Sequence, residues 1–535
     1  MENMEKKKNI FETTDGCPEA IVLKGTMRQM GVQYGRKFAG KWKHYDILIK
    51  ASIFGTPFTT AMYGFVPPER ERVKKDMQAL LHIADKYCPN YVEWLKGLQE
   101  GLAIEGLNLA VEDILLAATY PDERWGRPGG NYPADFDAEA DGAGTVIPSP
   151  YCNGFAVSGE AAKDDVVIVG VSGSPSDETA DRVMVIAYKE DGSYFSTFGT
   201  IVNPFGQSGI SSKGFAFAMT SNTSETDCEW GMSPEIAAFH FASNCVSVSE
   251  AQEWLERVPR SFAIGNFLFA DQQGDICVCE TNNKHFNIRK PGDAGEEGNY
   301  VVSTNHFAAQ ETFLFNVPEM EAWKQDSICR LATISKYLSQ GIEQGGGIDI
   351  DWVHHVLRQN DWYDPETKEW HYNEPASGKG SDVLEYTHSA FYDPAAMTAY
   401  YMQGTGSGVG VPAGSMGEFV QIPLKDDINA SVELMMMDAF FGCYHAARGE
   451  YLRVRNASKA LQQDYASQVA LTDLLDASYR NYEKALNRWS YGYMALSTEG
   501  KEREFLDLIA EAITCLGKTQ VYAKKLISQL ALYGV

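Results

Sequence analysis

Cys152 opens the stretch Tyr151-Cys152-Asn153-Gly154-Phe155-Ala156-Val157, just after a segment rich in Gly, Pro and Asp and just before the first strong strand pattern. A thiol at such a junction fits two roles. It can begin a strand as a small apolar core residue. It can also become a new N-terminus, which needs an accessible peptide bond before it and a rigid sheet behind it. An N-terminal cysteine carries nucleophile and base on one residue: its α-amine, with a reference pKa of about 8, can take the thiol proton directly or through a water. The same thiol can attack the Tyr151 carbonyl, and hydrolysis of the resulting thioester frees Cys152. Read this way, the placement points to an amide-processing enzyme that makes its own nucleophile by cutting its chain.

The chain of 535 residues is long enough for a large core, and with 44% hydrophobic and 12% aromatic residues it is too apolar for a disordered protein. A formal net charge of −26 argues against nucleic acid as a partner, since phosphate contacts need dense Lys and Arg. No apolar window approaches the roughly eighteen residues of a membrane span, and the charged residues Met1 to Asn9 lead into no signal-like stretch. The cysteines are scattered. Cys277 and Cys279 share a strand face but no second pair completes a metal set, so free thiols in a cytoplasmic protein are expected.

The elements that would position Cys152 can be read from periodicity. A short strand from Ala20 to Thr26 precedes a helix over Met27 to Phe38, in which Gly31 and Gly35 permit close backbone approach. Helical spacing continues from Arg70 to Leu107, interrupted near Pro89, and from Val111 to Thr119. Pro121 to Pro150 has no sustained period and reads as a lid, processing segment or linker. Strands are expected at Phe155–Ser158, Val166–Val171, Arg182–Tyr188, Tyr194–Ile201, Phe215–Ser221, Phe267–Ala270, Ile276–Glu280 and Tyr300–Ser303. Helices are expected at Ser233–Ala242, at Ser249–Val258 with Ser249 as N-cap, at Gln325–Leu338 and at Ile350–Arg358. Ser389–Met402 and Gly417–Leu424 read as strands, and Ile428 to Tyr533 as long helices broken near Ser497–Gly500.

Five short motifs in order strengthen the nucleophile reading. They are Gly25-Thr26 with Gly31 and Gly35; Cys152 to Val157 followed by Gly159-Glu160; Gly209 to Ala216; Gly265 to Asp271 with Gly274 and Glu280; and Thr304-Asn305-His306-Phe307. Over about Ile21 to Leu424 the chain resembles the N-terminal nucleophile (Ntn) hydrolases, specifically the acyl-coenzyme A:6-aminopenicillanic acid acyltransferase group and its amidase relatives. The resemblance implies an α+β fold, a four-layer αββα sandwich of two antiparallel sheets with a helical C-terminal extension. Residues 1–120 would be the strand and helical segment of a precursor and 121–151 a linker ending at the cleavage site. The core would span 152–427 and the extension 428–535.

The resemblance also implies roles. Cys152 is the nucleophile and Tyr151-Cys152 the bond cut. Asn305 matches the oxyanion asparagine and Asn222 a second substrate-facing position. Taken alone, Asn305 fits a structural cap equally well. Read from the residues themselves, His306 offers a general base, but packing against or orienting the neighbouring asparagine is the better fit. Arg330 matches an arginine that positions a carboxylate, and a surface helical arginine is the alternative. Relatives follow the nucleophile strand with Gly-x-Asn-x-Asp, whereas this chain reads Gly170-Val171-Ser172-Gly173-Ser174-Pro175-Ser176-Asp177. Either Asp177 swings in as the supporting acid, or Ser172 and Ser174 serve a remodelled substrate pocket.

The expected activity is cleavage of a linear amide in a small N-acylated amine, amino acid or peptide, through an acyl-cysteine, with no cofactor, metal, nucleic acid or membrane involved. Transfer of the acyl group to an amine acceptor is one alternative. A non-catalytic binding or scaffold protein that kept the fold is the other, and the helical tail offers a surface for a homo-oligomer. His354 and His355, adjacent on a helix, point in different directions and make a poor metal site. The chain has no Walker loop, dinucleotide fingerprint or Gly-x-Ser-x-Gly elbow.

Overall fold

Alternating strand residues must bury two opposite faces, and this chain buries both. The computed structural model describes residues 19–54, 69–125, 152–173, 182–222, 231–260, 265–293, 298–313, 316, 321–357, 361–372, 388–403, 420–424, 502–532 and, with interruptions, 474–488. Its strands are β1 (Glu19–Lys24), β2 (Cys152–Val157), β3 (Ile168–Gly173), β4 (Arg182–Tyr188), β5 (Tyr194–Thr200), β6 (Ser208–Ser211), β7 (Phe215–Thr220) and β8 (Gly265–Asp271). They continue with β9 (Ile276–Thr281), β10 (Phe286–Arg289), β11 (Tyr300–Ser303), β12 (Trp362–Asp364), β13 (Glu369–His371), β14 (His388–Asp393), β15 (Thr398–Gln403) and β16 (Val420–Pro423). The helices are α1 (Met27–Phe54), α2 (Arg70–Tyr87), α3 (Pro89–Ile104), α4 (Val111–Trp125), α5 (Pro234–Asn244), α6 (Val248–Arg257), α7 (Glu321–Gly345), α8 (Ile350–Leu357) and α9 (Glu502–Leu532).

An eight-stranded sheet in the order β1-β4-β5-β6-β7-β8-β9-β10 packs on a six-stranded sheet in the order β11-β2-β3-β14-β15-β16. Met184, Ile186, Ala216, Ala218, Leu268 and Val278 of the first meet Ala156, Val169, Val171 and Ala390 of the second. The other face of the larger sheet, through residues such as Val185, Phe217 and Phe269, packs on α1 to α6. The other face of the smaller sheet, through Phe155, Val157, Tyr300 and Phe391, packs on α7 and α8. The order of layers is helix, sheet, sheet, helix, as the resemblance implies. All named pairings are antiparallel except β1 with β4, which is parallel. The exception follows from connectivity, because β1 reaches β4 only after the long helical crossover that a parallel pair requires.

The helical layer is longer and closer than periodicity alone indicated. Helix α1 runs on past Phe38 because its buried stripe continues from Tyr34 and Phe38 to Trp42 and Tyr45. Gly31 and Gly35 serve packing. Cβ atoms there would collide with the backbone of α3, and reciprocally Gly97 and Gly101 of α3 press on Arg28 and Val32. Helix α4 continues through Pro121 to Trp125, since a proline removes one helical hydrogen bond without having to end the helix. The remainder of the expected 121–151 linker lies outside the described residues. The cap of α6 is Ser247, two residues before the expected Ser249. Ser247 Oγ accepts the Glu250 N–H at 3.3 Å, and the Glu250 carboxylate accepts the Val246 N–H at 2.9 Å.

In the C-terminal extension, Ser478 and Thr519 exchange hydroxyl-to-carbonyl hydrogen bonds and tie two helical pieces together. Tyr482, Ala485, Ile509, Ala512 and Leu516 belong to the same buried cluster as the inter-sheet core. The earlier part of the expected tail, residues 428–473, and the expected break near Ser497–Gly500 lie outside the described residues. No described helix is long and apolar enough to cross a membrane.

The α1–α3 crossing gives a direct test. A methyl group at Gly35 would sit 2.6 Å from the Leu98 carbonyl oxygen, with backbone on both sides. Gly35→Ala is expected to destabilise the chain by about 1–3 kcal/mol in denaturant titration, and an unchanged midpoint would contradict this packing.

Candidate active site

Pairing register brings the candidate residues together. Cys152 is the first residue of β2 and lies opposite Gly173 of β3, while Ser303, the last residue of β11, lies opposite Gly154. The chain leaving β11 therefore passes Thr304, Asn305 and His306 beside the start of β2. Cys152 and Ala156 point between the sheets, whereas Phe155 and Val157 point to the α7 layer. Cys152 is buried, with 6% exposure.

Asn305 is the hub. Its Oδ1 accepts the backbone N–H of Cys152 at 3.0 Å and an Nη2–H of Arg330 at 2.9 Å, while its Nδ2 donates to the Ser221 carbonyl at 2.7 Å. Two donors on one atom and an acceptor on the other fix the amide orientation. One Nδ2 hydrogen remains beyond the bond to Ser221.

Arg330 is no surface residue. Its side chain is fully buried, and Nη1 donates to the Cys152 carbonyl at 2.8 Å and to Asn153 Oδ1 at 2.9 Å. Nε is paired with Asp326 at 2.8 Å, one helical turn earlier on α7. A buried guanidinium is tolerable only with a counter-charge and a full set of acceptors. Here those acceptors belong to Cys152, its neighbour and Asn305. Its contacts are thus with the protein's own strand, where the resemblance implied a substrate carboxylate.

The turn carrying Asn305 is held from several sides. Ser327, also on α7, accepts the Asn305 backbone N–H at 2.7 Å, and its hydroxyl meets Thr304 Oγ1 at 2.9 Å and His306 Nδ1 at 2.8 Å. His306 thus orients the turn, with its Nδ1 engaged by Ser327. Downstream, the Glu280 carboxylate accepts the N–H groups of Ala308 and Ala309 and the Thr312 hydroxyl, and it pairs with buried Arg289 at 3.1 Å. Arg289 also donates to the Val302 carbonyl, which ties β10 to β11 across the two sheets.

Asn222 stands just past β7, buried at 6% exposure, and neither amide atom has a hydrogen-bond partner among the described residues. It follows Ser221, whose carbonyl receives Asn305, so its amide lies at the same end of the sheets as Cys152. Ser172 can be placed by register. The two-residue strand period and its pairing with Asn153 put it on the α7 face, with its Oγ on the Asn153 carbonyl at 3.2 Å. Gly173, not Ser172, shares the face of Cys152. Tyr151, Ser174 and Asp177 lie outside the described residues. Among the described residues no group of three or more His, Cys, Asp or Glu could hold a metal ion. Cys277 and Cys279 are buried side by side on β9, and burial pushes the Cys279 thiol well above its ordinary range.

Ser327, Asn153, Thr220 and Asn266 escaped the sequence reading. The Asp326-Ser327-Ile328-Cys329-Arg330 run held a usable signal, since spacings of three and four residues put Ser327, Asp326 and Arg330 on one helical face. Removing one member of the buried Glu280–Arg289 pair leaves a desolvated charge. Arg289→Met is expected to cost about 3–5 kcal/mol of stability by urea unfolding, and a loss below about 1 kcal/mol would contradict the pair's anchoring role.

Residues 176–406 match the family described as acyl-coenzyme A:6-aminopenicillanic acid acyl-transferase. The matched region contains Asn222, Asn305 and Arg330 and begins after Cys152. Among solved structures, the chain is similar to a mutant of the conjugated bile acid hydrolase of Clostridium perfringens, at 12% identity and a TM-score of 0.31 over 52% of this chain and 99% of that one. It is also similar to the N-acylethanolamine-hydrolyzing acid amidase ortholog of Caenorhabditis elegans, at 12% identity and a TM-score of 0.30 over 51% and 100%. No curated protein matches. The family match covers a little under half of the chain and lies within the helix-sheet-sheet-helix architecture described above, so this region is similar to the acyl-coenzyme A:6-aminopenicillanic acid acyl-transferase family.

Proposed function

We propose that the chain is a self-processing cysteine amidase, with Cys152 as nucleophile. The observation that carries this reading is the acceptance of the Cys152 backbone N–H by Asn305 Oδ1, with Arg330 on the same oxygen and on the Cys152 carbonyl.

In the uncut chain, the Cys152 thiol attacks the Tyr151 carbonyl carbon. The C–S bond forms, the C–N bond breaks and the nitrogen takes the proton. Water then hydrolyses the thioester and leaves Cys152 with a free α-amine. The Asn305 Oδ1 that held the peptide N–H now holds an N–H of that amine, and the nitrogen lone pair stays free to accept the thiol proton. The nearby Arg330 charge opposes protonation of the amine and keeps it a base. Substrate amide cleavage repeats the cycle. The thiolate adds to the carbonyl, the remaining Nδ2 hydrogen of Asn305 and the Asn222 amide receive the oxyanion, and the protonated amine gives its proton to the leaving amine. Water, or an amine acceptor for acyl transfer, then resolves the thioester.

The reading places a small N-acylated amine, amino acid or peptide at the site, with residues 121–151 as the arm whose last bond is cut. Asp177 and Ser174 follow Gly173, which pairs with Cys152, so they remain the candidates for the supporting acid and pocket wall.

Denaturing mass analysis of the purified protein is expected to show two fragments, residues 1–151 and 152–535. Cys152→Ala is expected to stay whole and to lose amide hydrolysis. A chain that stays intact through long incubation would sink self-processing and favour the scaffold reading. Hydrolysis by the alanine variant would assign the chemistry to another residue.

A further inference from the structure

Asn266 sits on β8, fully buried, in register with Thr220 of β7 and on the strand face that points between the sheets. Its Nδ2 donates to two carbonyls, Thr304 at 3.2 Å and His306 at 3.0 Å. Those carbonyls belong to the residues immediately before and after Asn305. One amide group therefore spans the peptide units on both sides of the hub, and Thr220 Oγ1 adds a second donor to the Thr304 carbonyl at 2.6 Å.

The other half of the amide is left over. Asn266 Oδ1 is buried with no hydrogen-bond partner among the described residues. Turning the amide over would aim that oxygen at two carbonyl oxygens, so the observed orientation is the only one that makes bonds. A buried acceptor without a donor is a cost that packing alone would not retain, because an apolar residue of similar size would avoid it. What the side chain achieves in return is fixed placement of the two peptide planes that aim the Asn305 side chain.

We infer that Asn266 is a positioning residue for Asn305, setting the distance and angle of its Nδ2 to the reacting carbonyl and of its Oδ1 to the Cys152 nitrogen. The inference rests on the proposed amidase reading. It goes further by placing part of the control of the site on the larger sheet, while Ser327 and Arg330 act from α7. Donor placement of this kind affects the transition state more than substrate binding, since displacements near 1 Å can cost on the order of a hundredfold in rate.

The experiment uses the full-length matured protein and a small N-acyl amino acid that the wild type hydrolyses, with Cys152 centres counted by thiol alkylation. Asn266→Asp, of equal size but without the N–H donors, is expected to lower kcat per counted centre by roughly 10–100-fold and to change KM by less than about threefold. Its deficit relative to wild type is expected to narrow as pH falls, because a protonated carboxyl again offers one donor. Thr220→Val, which removes the second donor together with the hydroxyl contact to Ser303, is expected to lower kcat by a smaller factor, roughly 3–10-fold. A purely structural role would reduce the number of active centres and leave kcat per centre and its pH dependence unchanged, and that result in either variant overturns the inference. If Asn266→Asp does not fold, Thr220→Val decides. Wild-type protein without Cys152-dependent hydrolysis would overturn the amidase reading and this inference with it, whereas an active wild type with unaffected variants overturns this inference alone.

Discussion

One buried positive charge organises the site. Arg330 is enclosed between the smaller sheet and α7, where an uncompensated guanidinium would be intolerable. Its acceptors are Asp326, the Cys152 carbonyl, Asn153 Oδ1 and Asn305 Oδ1. The need to neutralise and solvate that charge therefore draws the start of β2 and the turn after β11 to one point. Displacing either would leave a charge-assisted hydrogen bond unmade in a low-dielectric interior. The same arrangement places a cationic field beside the Cys152 nitrogen and fixes the amide that receives its hydrogen.

The architecture around the charge explains why it can stay buried. Helix α7 contributes Ser327, Asp326 and Arg330 from one face, and its apolar residues Ile334 and Leu338 pack on the sheet beyond them. The larger sheet supplies Thr220 and Asn266 from the opposite side, and the Glu280–Arg289 pair holds the chain that follows. The turn is thus braced by both sheets and one helix layer. The tight α1–α3 crossing stiffens the far side of the larger sheet through main-chain contacts that only glycine permits.

How legible was this in the sequence? Strands with strong apolar runs were readable to the residue, as with Arg182–Tyr188 and Tyr300–Ser303. β6 and β10 were not, because four residues with Ser, Gly or Asn carry too little pattern, although β6 is fully buried in the centre of a sheet. The capping box of α6 was recognised in the right place but two residues out of register, since Ser247 and Ser249 compete for one role. The face of Ser172 depended on strand pairing and could not be settled by position alone. For the site, Cys152 lies 153 residues from Asn305 and 178 from Arg330, so no local spacing could join them. Resemblance to a family supplied those positions. Asn266 and Ser327 were invisible because their contacts are to main-chain atoms of a turn whose shape exists only after the sheets have packed.

The central claim is that Cys152 carries the acyl group. Rapid acid quenching during turnover, followed by peptide mapping, tests it most directly. The account predicts an acyl adduct on the peptide that begins with Cys152, chemically competent to release product, and none on the other cysteines. Turnover with no adduct at Cys152, or with the adduct on another residue, would contradict it.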